Sequence, residues 1–202
     1  MNAQIVPTFA IPIGLVELDE KVYKPLRKFK GNENGLTKEE DLDFNILDKV
    51  PEIKKEFTKI FQSYINENVL KTPKQEYAIT SSWITENSSG APMVRHNHKN
   101  SYYSSVLYFD KVVEEHAALT FENPIDVSGF HVQGQEPSIF TAVEFYVPPK
   151  EGIIIFFPSY LYHYHRQFTK TKTPRKSLAC NYIPINDYGV WDSSLDTRKL
   201  HG

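Results

Sequence analysis

The chain has 202 residues and a formal net charge of −2, so its charge gives no reason to expect nucleic acid or an anionic membrane as a partner. One cysteine, Cys180, excludes an internal disulfide and a cysteine-rich zinc site, and fits a reducing compartment. The apolar residues 5–16 follow no Lys or Arg and are interrupted by Pro7 and Pro12, which makes a poor signal peptide. We therefore expect a cytoplasmic protein without a membrane span.

The N-terminal third predicts one strand and two helices. Residues 5–18 alternate weakly in hydrophobicity and predict an opening strand, and residues 19–29 predict a short helix. The clearest helix covers residues 50–69, with Pro51 near its start. Its apolar residues recur at helical spacing: Ile53, Phe57, Ile60, Phe61, Tyr64 and Ile65. Because the other face carries Glu and Lys, we expect this helix to pack on one side only.

From residue 77 onward the sequence changes to short β-rich segments separated by turn residues. The predicted strands cover residues 77–85, 102–109, 118–121, 139–146, 153–157, 160–165 and 177–183. Many short strands with regular turn signals are typical of a sandwich or barrel. We therefore predict a mainly β (α+β) fold, a jelly roll with N-terminal helices packed against one sheet. We expect one domain over residues 1–202, with N-terminal support in 1–76, the jelly-roll core in 77–185 and a tail in 186–202.

Four of the seven histidines form two closely spaced pairs, His96/His98 and His163/His165. Side chains at i and i+2 of a strand share a face, so His96 and His98 can present two imidazoles to one point. A metal with open positions needs a third protein ligand, which His163 can supply after the turn at Pro158. The pattern predicts a metal site, although a His-x-His pair alone is more often a surface or core feature. His165 shares the face of His163 and is the alternative ligand.

The last predicted strand places polar and apolar side chains on opposite faces. One face carries Arg175, Ser177, Ala179 and Asn181, and the other carries Leu178, Cys180 and Tyr182. A guanidinium with a hydroxyl two residues later suits a carboxylate ligand, because it makes bidentate, charge-assisted hydrogen bonds. The competing interpretation is a solvent-exposed basic turn, since Lys170, Lys172 and Lys176 lie close in sequence.

The order of these motifs resembles the 2-oxoglutarate/Fe(II)-dependent dioxygenase superfamily and, more narrowly, its prolyl-hydroxylase-like group. His163 follows His-x-His by about sixty-five residues, and Arg-x-Ser begins twelve residues later. The resemblance covers residues 80–184 well. Its main segments are Arg95-His-Asn-His-Lys-Asn, Tyr103-Ser-Ser-Val-Leu-Tyr-Phe109, Gly152-Ile-Ile-Ile-Phe-Phe-Pro-Ser-Tyr-Leu-Tyr-His163 and Arg175-Lys-Ser-Leu-Ala-Cys-Asn181.

The resemblance implies a double-stranded β-helix oxygenase, an oxidoreductase that hydroxylates an unidentified substrate and converts 2-oxoglutarate oxidatively to succinate and CO2. By this resemblance, His96 and His163 match two ligands of Fe(II). Arg175, assisted by Ser177, matches the residue that pairs with the distal carboxylate of 2-oxoglutarate. Tyr108 matches a position that hydrogen-bonds this cosubstrate, although a core tyrosine would also suit the position.

One position departs from the superfamily pattern, which has Asp or Glu where this chain has His98. Either three histidines bind the iron, or Glu122 or Asp110 completes the ligand set and His98 supports it. Two other functions stay open: a cupin-like three-histidine dioxygenase that does not use 2-oxoglutarate, and a non-catalytic jelly-roll binding module. Arg175 favours the enzyme that uses 2-oxoglutarate, because a cupin-like site needs no basic residue at this strand position.

The expected small-molecule partners are 2-oxoglutarate and O2, and the sequence does not select a primary substrate. It does not determine the oligomeric state either, and a homodimer stays open. The remaining residues have simpler expectations: His116 and His131 in loops or at the surface, and Trp83 and Trp191 in packing.

Overall fold

A computed structural model describes residues 10–33, 42–72, 75–125, 136 and 138–200. The strands in chain order are β1 (Gly14–Glu17), β2 (Asn32–Glu33), β3 (Glu76–Asn87), β4 (Met93–His96), β5 (Tyr103–Leu107), β6 (Leu119–Glu122), β7 (Glu144–Val147), β8 (Ile153–Pro158), β9 (His163–His165), β10 (Arg175–Ile185), β11 (Asp187–Tyr188) and β12 (Leu195–Asp196). The two α-helices are α1 (Glu20–Tyr23) and α2 (Pro51–Ser63). Short 3-10 helices cover Lys24–Lys28, Ile46–Lys49, Trp191–Ser193 and Thr197–Leu200.

Helix α2 follows from its sequence. Pro51 occupies the first turn, where its missing N–H costs no hydrogen bond, and the buried residues Ile53, Phe57 and Phe61 are four apart. The helix continues as a π-helical segment, Tyr64–Leu70, and ends at Lys71 in the left-handed region with φ 54°. The helix predicted over residues 50–69 is therefore present, with a change of hydrogen-bonding pattern at Tyr64.

Two β-sheets face each other across a buried core. The first sheet has the strand order β1-β8-β5-β10-β3-β2 and the second has the order β4-β9-β6-β7. All of their pairings are antiparallel except that of β2 with β3. The eight strands β3 to β10 divide equally between the sheets, which is the arrangement of a jelly roll. The core between the sheets includes Val106, Tyr108, Leu119, Phe121, Val147, Ile155, Phe157, Leu161 and Ala179.

The other face of the first sheet is covered by the helices, as the sequence predicts. Leu178, Cys180 and Tyr182 of β10 belong to this second core, together with the apolar face of α2. The Phe61 ring stacks on Tyr182 with centroids 4.1 Å apart and meets Tyr77 edge-on at 5.0 Å. Helix α2 therefore supports β10 from behind, while the opposite face of β10 points between the sheets.

We expect Phe61→Ala to lower the free energy of unfolding by about 3–5 kcal/mol, because it removes a fully buried ring and leaves a cavity. Chemical denaturation measures the loss. Lys55→Ala, on the exposed face of the same helix, should change the free energy of unfolding by less than about 0.5 kcal/mol. Equal losses in the two variants would contradict the packing described for α2.

Two predicted strands begin later than expected. The strand predicted over 139–146 begins at Glu144, because residues 139–141 form a turn closed by the bond from Ala142 N to Ser138 O at 2.8 Å. The strand predicted over 160–165 begins at His163, after a turn in which Leu161 N donates to Pro158 O. Aromatic and β-branched residues suggested strand in both places, but Ile139 and Tyr160 are exposed turn residues.

The tail predicted over 186–202 contains a small hairpin, formed by β11 and β12. The prediction that Trp191 packs into the protein is wrong, because its side chain is 91% exposed. Across the described ranges, no helix has both the length and the hydrophobicity that a membrane crossing requires. The organisation of residues 1–202 as one domain stays a prediction.

Candidate metal centre

The first two predicted ligands lie directly opposite each other in the second sheet. His96 is the last residue of β4 and His163 is the first of β9, and the two are cross-strand partners. Their ring centroids are 4.4 Å apart. His163 is buried and His96 is half-buried, so the pair stands where the core between the sheets opens.

His98 joins this pair, although not for the reason inferred from the sequence. Strand β4 ends at His96, so His98 lies beyond the strand, and its backbone N–H donates to Ser159 O at 3.0 Å. Its ring centroid lies 5.4 Å from that of His96 and 5.0 Å from that of His163. One potential ligand nitrogen from each ring lies within 4.8 Å of the others, a spacing that could hold a metal ion.

Hydrogen bonds fix which nitrogen of each imidazole is free. His96 Nδ1 lies 2.8 Å from Val94 O, and His163 Nδ1 lies 3.0 Å from Leu161 O. A carbonyl oxygen only accepts, so each Nδ1 carries the proton and each Nε2 keeps its lone pair. This is the usual arrangement for metal-binding histidines, whose second ring nitrogen donates to a protein oxygen.

The environment also keeps the rings of His98 and His163 neutral. Burial lowers the pKa of His98 to about 4. Burial, followed by the charge of a protonated His96, lowers the pKa of His163 to about 3. At neutral pH both rings therefore offer lone pairs without first losing a proton. Three neutral imidazoles are a donor set that suits a first-row divalent metal such as Fe(II), so the residues present fit the metal implied by the resemblance.

The alternative ligands have other partners. Both Glu122 oxygens accept from Arg95 Nε, at 2.6 and 2.7 Å, and Asp110 lies 3.9 Å from Lys176 Nζ. Neither carboxylate belongs to the histidine group. His165 is outside the group as well: its Nδ1 contacts Arg166 O at 3.1 Å, and its buried Nε2 has no hydrogen-bond partner among the residues that the structure describes. Among the described residues, the structure therefore brings His98 and His163 together with His96, and their role as the metal ligands stays a prediction.

Arg175 is buried between the sheets, and among the described residues it has no counter-charge. Only 3% of it is exposed, its Nη2 donates to Tyr108 Oη at 2.6 Å, and its Nε donates to Ala117 O at 3.2 Å. In the part of the chain that the structure describes, no carboxylate lies within ion-pair distance of Arg175. A buried charge without a partner is strongly unfavourable, so this guanidinium suits an anionic ligand. The interpretation of Arg175 as part of an exposed basic turn is wrong.

Tyr108 contacts this guanidinium, and Ser177 shares the strand face on which Arg175 lies. Tyr108 is fully buried, burial raises the pKa of its phenol, and its hydroxyl already contacts Arg175. Ser177 is buried on the same face of β10 as Arg175. The position of both residues is compatible with binding a carboxylate together with Arg175, and their role toward the cosubstrate stays a prediction.

Aromatic side chains lie against two of the three imidazoles, those of His98 and His163. Phe157 lies 4.9 Å from the His163 ring and Trp83 lies 5.3 Å from the His98 ring, centroid to centroid. These apolar walls exclude water from the back of the site. His116 lies in a loop, one of the two predicted locations, but it is buried there, and its Nε2 lies 2.9 Å from Thr173 O. His131 lies outside the described residues.

Sequence comparison identifies a family. A family model described as "Putative 2OG-Fe(II) oxygenase" matches residues 81–181, which is half of the chain. This match contains all six residues assigned to the site. Among curated proteins, no significant sequence match was found.

Solved structures resemble the fold at low sequence identity. The non-heme alpha ketoglutarate dependent epimerase SnoN from nogalamycin biosynthesis has a TM-score of 0.58 and 15% identity, covering 89% of this chain and 82% of that one. The carbocyclase SnoK from the same biosynthesis has a TM-score of 0.57 and 14% identity, covering 91% and 85%. HygX from Streptomyces hygroscopicus, solved with nickel and 2-oxoglutarate bound, has a TM-score of 0.55 and 11% identity, covering 86% and 82%. These likenesses confirm the predicted double-stranded β-helix fold.

Proposed function

Because this chain belongs to the 2OG-Fe(II) oxygenase family, we propose that it hydroxylates an organic substrate while converting 2-oxoglutarate and O2 to succinate and CO2. Membership of the family makes the chain an oxidoreductase that uses Fe(II) and 2-oxoglutarate. One observation carries the proposal for this chain's own residues. Three imidazoles with free Nε2 lone pairs lie between the same two sheets as a buried guanidinium that has no carboxylate partner among the described residues.

In the proposed site His96, His98 and His163 would hold the iron through Nε2. When bound, iron and 2-oxoglutarate together supply the oxidising power for inserting one oxygen atom into a C–H bond. Three protein ligands leave further positions for the cosubstrate and for O2. The chain's own contribution is to fix the three rings by their Nδ1–H bonds and to keep water away from their buried side.

Arg175 anchors the cosubstrate in this proposal. Its guanidinium pairs with the distal carboxylate of 2-oxoglutarate, and the Tyr108 hydroxyl, already bonded to Arg175, steadies the same group. Ser177 adds a hydroxyl from the same face of β10. When the distal carboxylate is held, the 2-oxo acid group at the other end of 2-oxoglutarate is oriented toward the histidines.

The substrate then approaches from the side of His96 and His98. These two rings are half-buried, whereas His163 is buried, so the described residues leave that side more accessible.

We also propose a cytoplasmic location, supported by the single cysteine, which is buried and free.

The test is anaerobic spectroscopy of the purified protein. We expect a weak visible charge-transfer band when Fe(II) and 2-oxoglutarate are both present, and no band when either is omitted. Iron binding without a band, and oxidation that is independent of 2-oxoglutarate, would instead indicate the cupin-like dioxygenase. Failure to bind Fe(II) stoichiometrically would leave the non-catalytic binding module and overturn the proposal.

A further inference from the structure

His98 is held differently from the other two imidazoles. The Nδ1–H groups of His96 and His163 donate to backbone carbonyls two residues away in their own segments. His98 Nδ1 instead lies 2.6 Å from Asn181 Oδ1 and 2.8 Å from Ser104 Oγ. Asn181 belongs to β10 in the opposite sheet, so the orientation of this ring depends on side chains distant in sequence.

A carboxamide oxygen has only an acceptor to offer. Facing it, His98 must carry its proton on Nδ1 and leave Nε2 free toward the other two histidines. The opposite tautomer would place the proton on Nε2, where it would prevent metal binding. Ser104 cannot impose this choice alone, because a hydroxyl either donates or accepts. Asn181 is therefore the group whose chemistry decides the tautomer.

The Asn181 amide has further partners at both of its ends. Its Nδ2 donates to Ser81 Oγ at 3.0 Å, and its Oδ1 accepts a second bond from Ser104 Oγ at 2.9 Å. Ser104 Oγ and Ser159 Oγ lie 2.8 Å apart, and Ser159 Oγ lies 2.9 Å from Ser101 Oγ. These contacts form one connected polar network behind His98.

We propose that Asn181 is a positioning residue of the metal centre, which holds His98 in the tautomer and orientation that allow an imidazole to act as the third ligand. The inference rests on the proposed function in one respect, namely that His98 binds the metal. Asn181 does not touch the metal or the substrate; it acts through His98.

Two substitutions at this position separate the acceptor from the shape of the side chain. Asn181→Leu keeps four side-chain heavy atoms branched at Cγ and removes the acceptor, so the metal-free protein should contain His98 in a mixture of tautomers. We expect its affinity for Co(II), a redox-stable probe, to fall about 10- to 100-fold. Asn181→Asp keeps an acceptor at the same place, so we expect the wild-type tautomer and a Co(II) affinity at least equal to that of the wild type.

Ser101→Ala is the matched control. Ser101 belongs to the same network but lies two hydrogen bonds beyond Ser104, so its loss should lower stability without changing Co(II) affinity. Calorimetric titration gives the affinity, and the nitrogen chemical shifts of the His98 imidazole in metal-free protein give the tautomer. Thermal unfolding of each variant shows whether it is folded under the conditions of the titration.

The outcomes are distinct. Weak Co(II) binding and mixed tautomers in Asn181→Leu, with both restored in Asn181→Asp, support the inference. Wild-type affinity in folded Asn181→Leu overturns it and leaves the proposed function standing, as does an equal loss of affinity in Ser101→Ala. If the wild-type protein itself does not bind Co(II) at the histidines, both the inference and the proposed function fail.

Discussion

In His98→Ala we expect the affinity for Fe(II) to fall by more than about 100-fold, because even the loss of a group that only supports a ligand costs about 10- to 100-fold. The variant removes one of the three Nε2 donors and leaves two. His98→Asp should restore much of the binding, since it recreates the carboxylate that the superfamily usually has at this position. Iron stoichiometry and competition with a chelator under anaerobic conditions measure both effects.

Two further histidines act as controls for this prediction. His163→Ala should lose iron to a similar extent, because His163 belongs to the same group. His165→Ala should keep the iron, because His165 lies outside the group although it is only two residues away. Near-full iron occupancy in His98→Ala would show that the third ligand is wrongly assigned, and would leave the family membership unaffected.

The fold was largely predictable because local pattern and global architecture agree. Along β10, polar and apolar residues alternate, and the structure places Leu178, Cys180 and Tyr182 against the helices and Ala179 between the sheets. The helix at residues 50–69 was visible for the same reason, since its apolar face repeats every four residues. Strand boundaries were less predictable, because exposed turns such as residues 138–142 also carry aromatic and apolar side chains.

The residues of the candidate site could be predicted from the sequence, but the hydrogen bonds that hold His98 in place could not. The histidines could be found from their spacing, but His98 reaches the group through a loop contact with Ser159, which strand periodicity does not describe. The hydrogen bonds of Asn181 and Ser104 to His98 join segments 83 and 6 residues apart and need the assembled sheets. The only signal in the sequence was that Asn181 shares a strand face with Arg175.

Removal of the Arg175 guanidinium should weaken the binding of 2-oxoglutarate far more than that of iron. Truncating one partner of a buried, hydrogen-bonded charge pair costs about 2–5 kcal/mol, so in Arg175→Ala we expect the Kd for 2-oxoglutarate to rise at least about 30-fold. Fe(II) stoichiometry should stay near that of the wild type, because Arg175 is not part of the histidine group. Lys170→Ala, an exposed basic residue of the preceding turn, is the control and should leave the Kd unchanged.

The specific claim is that Arg175 recognises the distal carboxylate, and a second ligand isolates it. 2-Oxobutyrate keeps the 2-oxo acid group and lacks the distal carboxylate, so the wild-type protein should bind it much more weakly than 2-oxoglutarate. In Arg175→Ala this preference should largely disappear, because the group that distinguishes the two acids is gone. Anaerobic titration of the visible band gives all four dissociation constants. If Arg175→Ala still prefers 2-oxoglutarate as strongly as the wild type does, another residue binds the distal carboxylate, and the buried charge of Arg175 has a different partner.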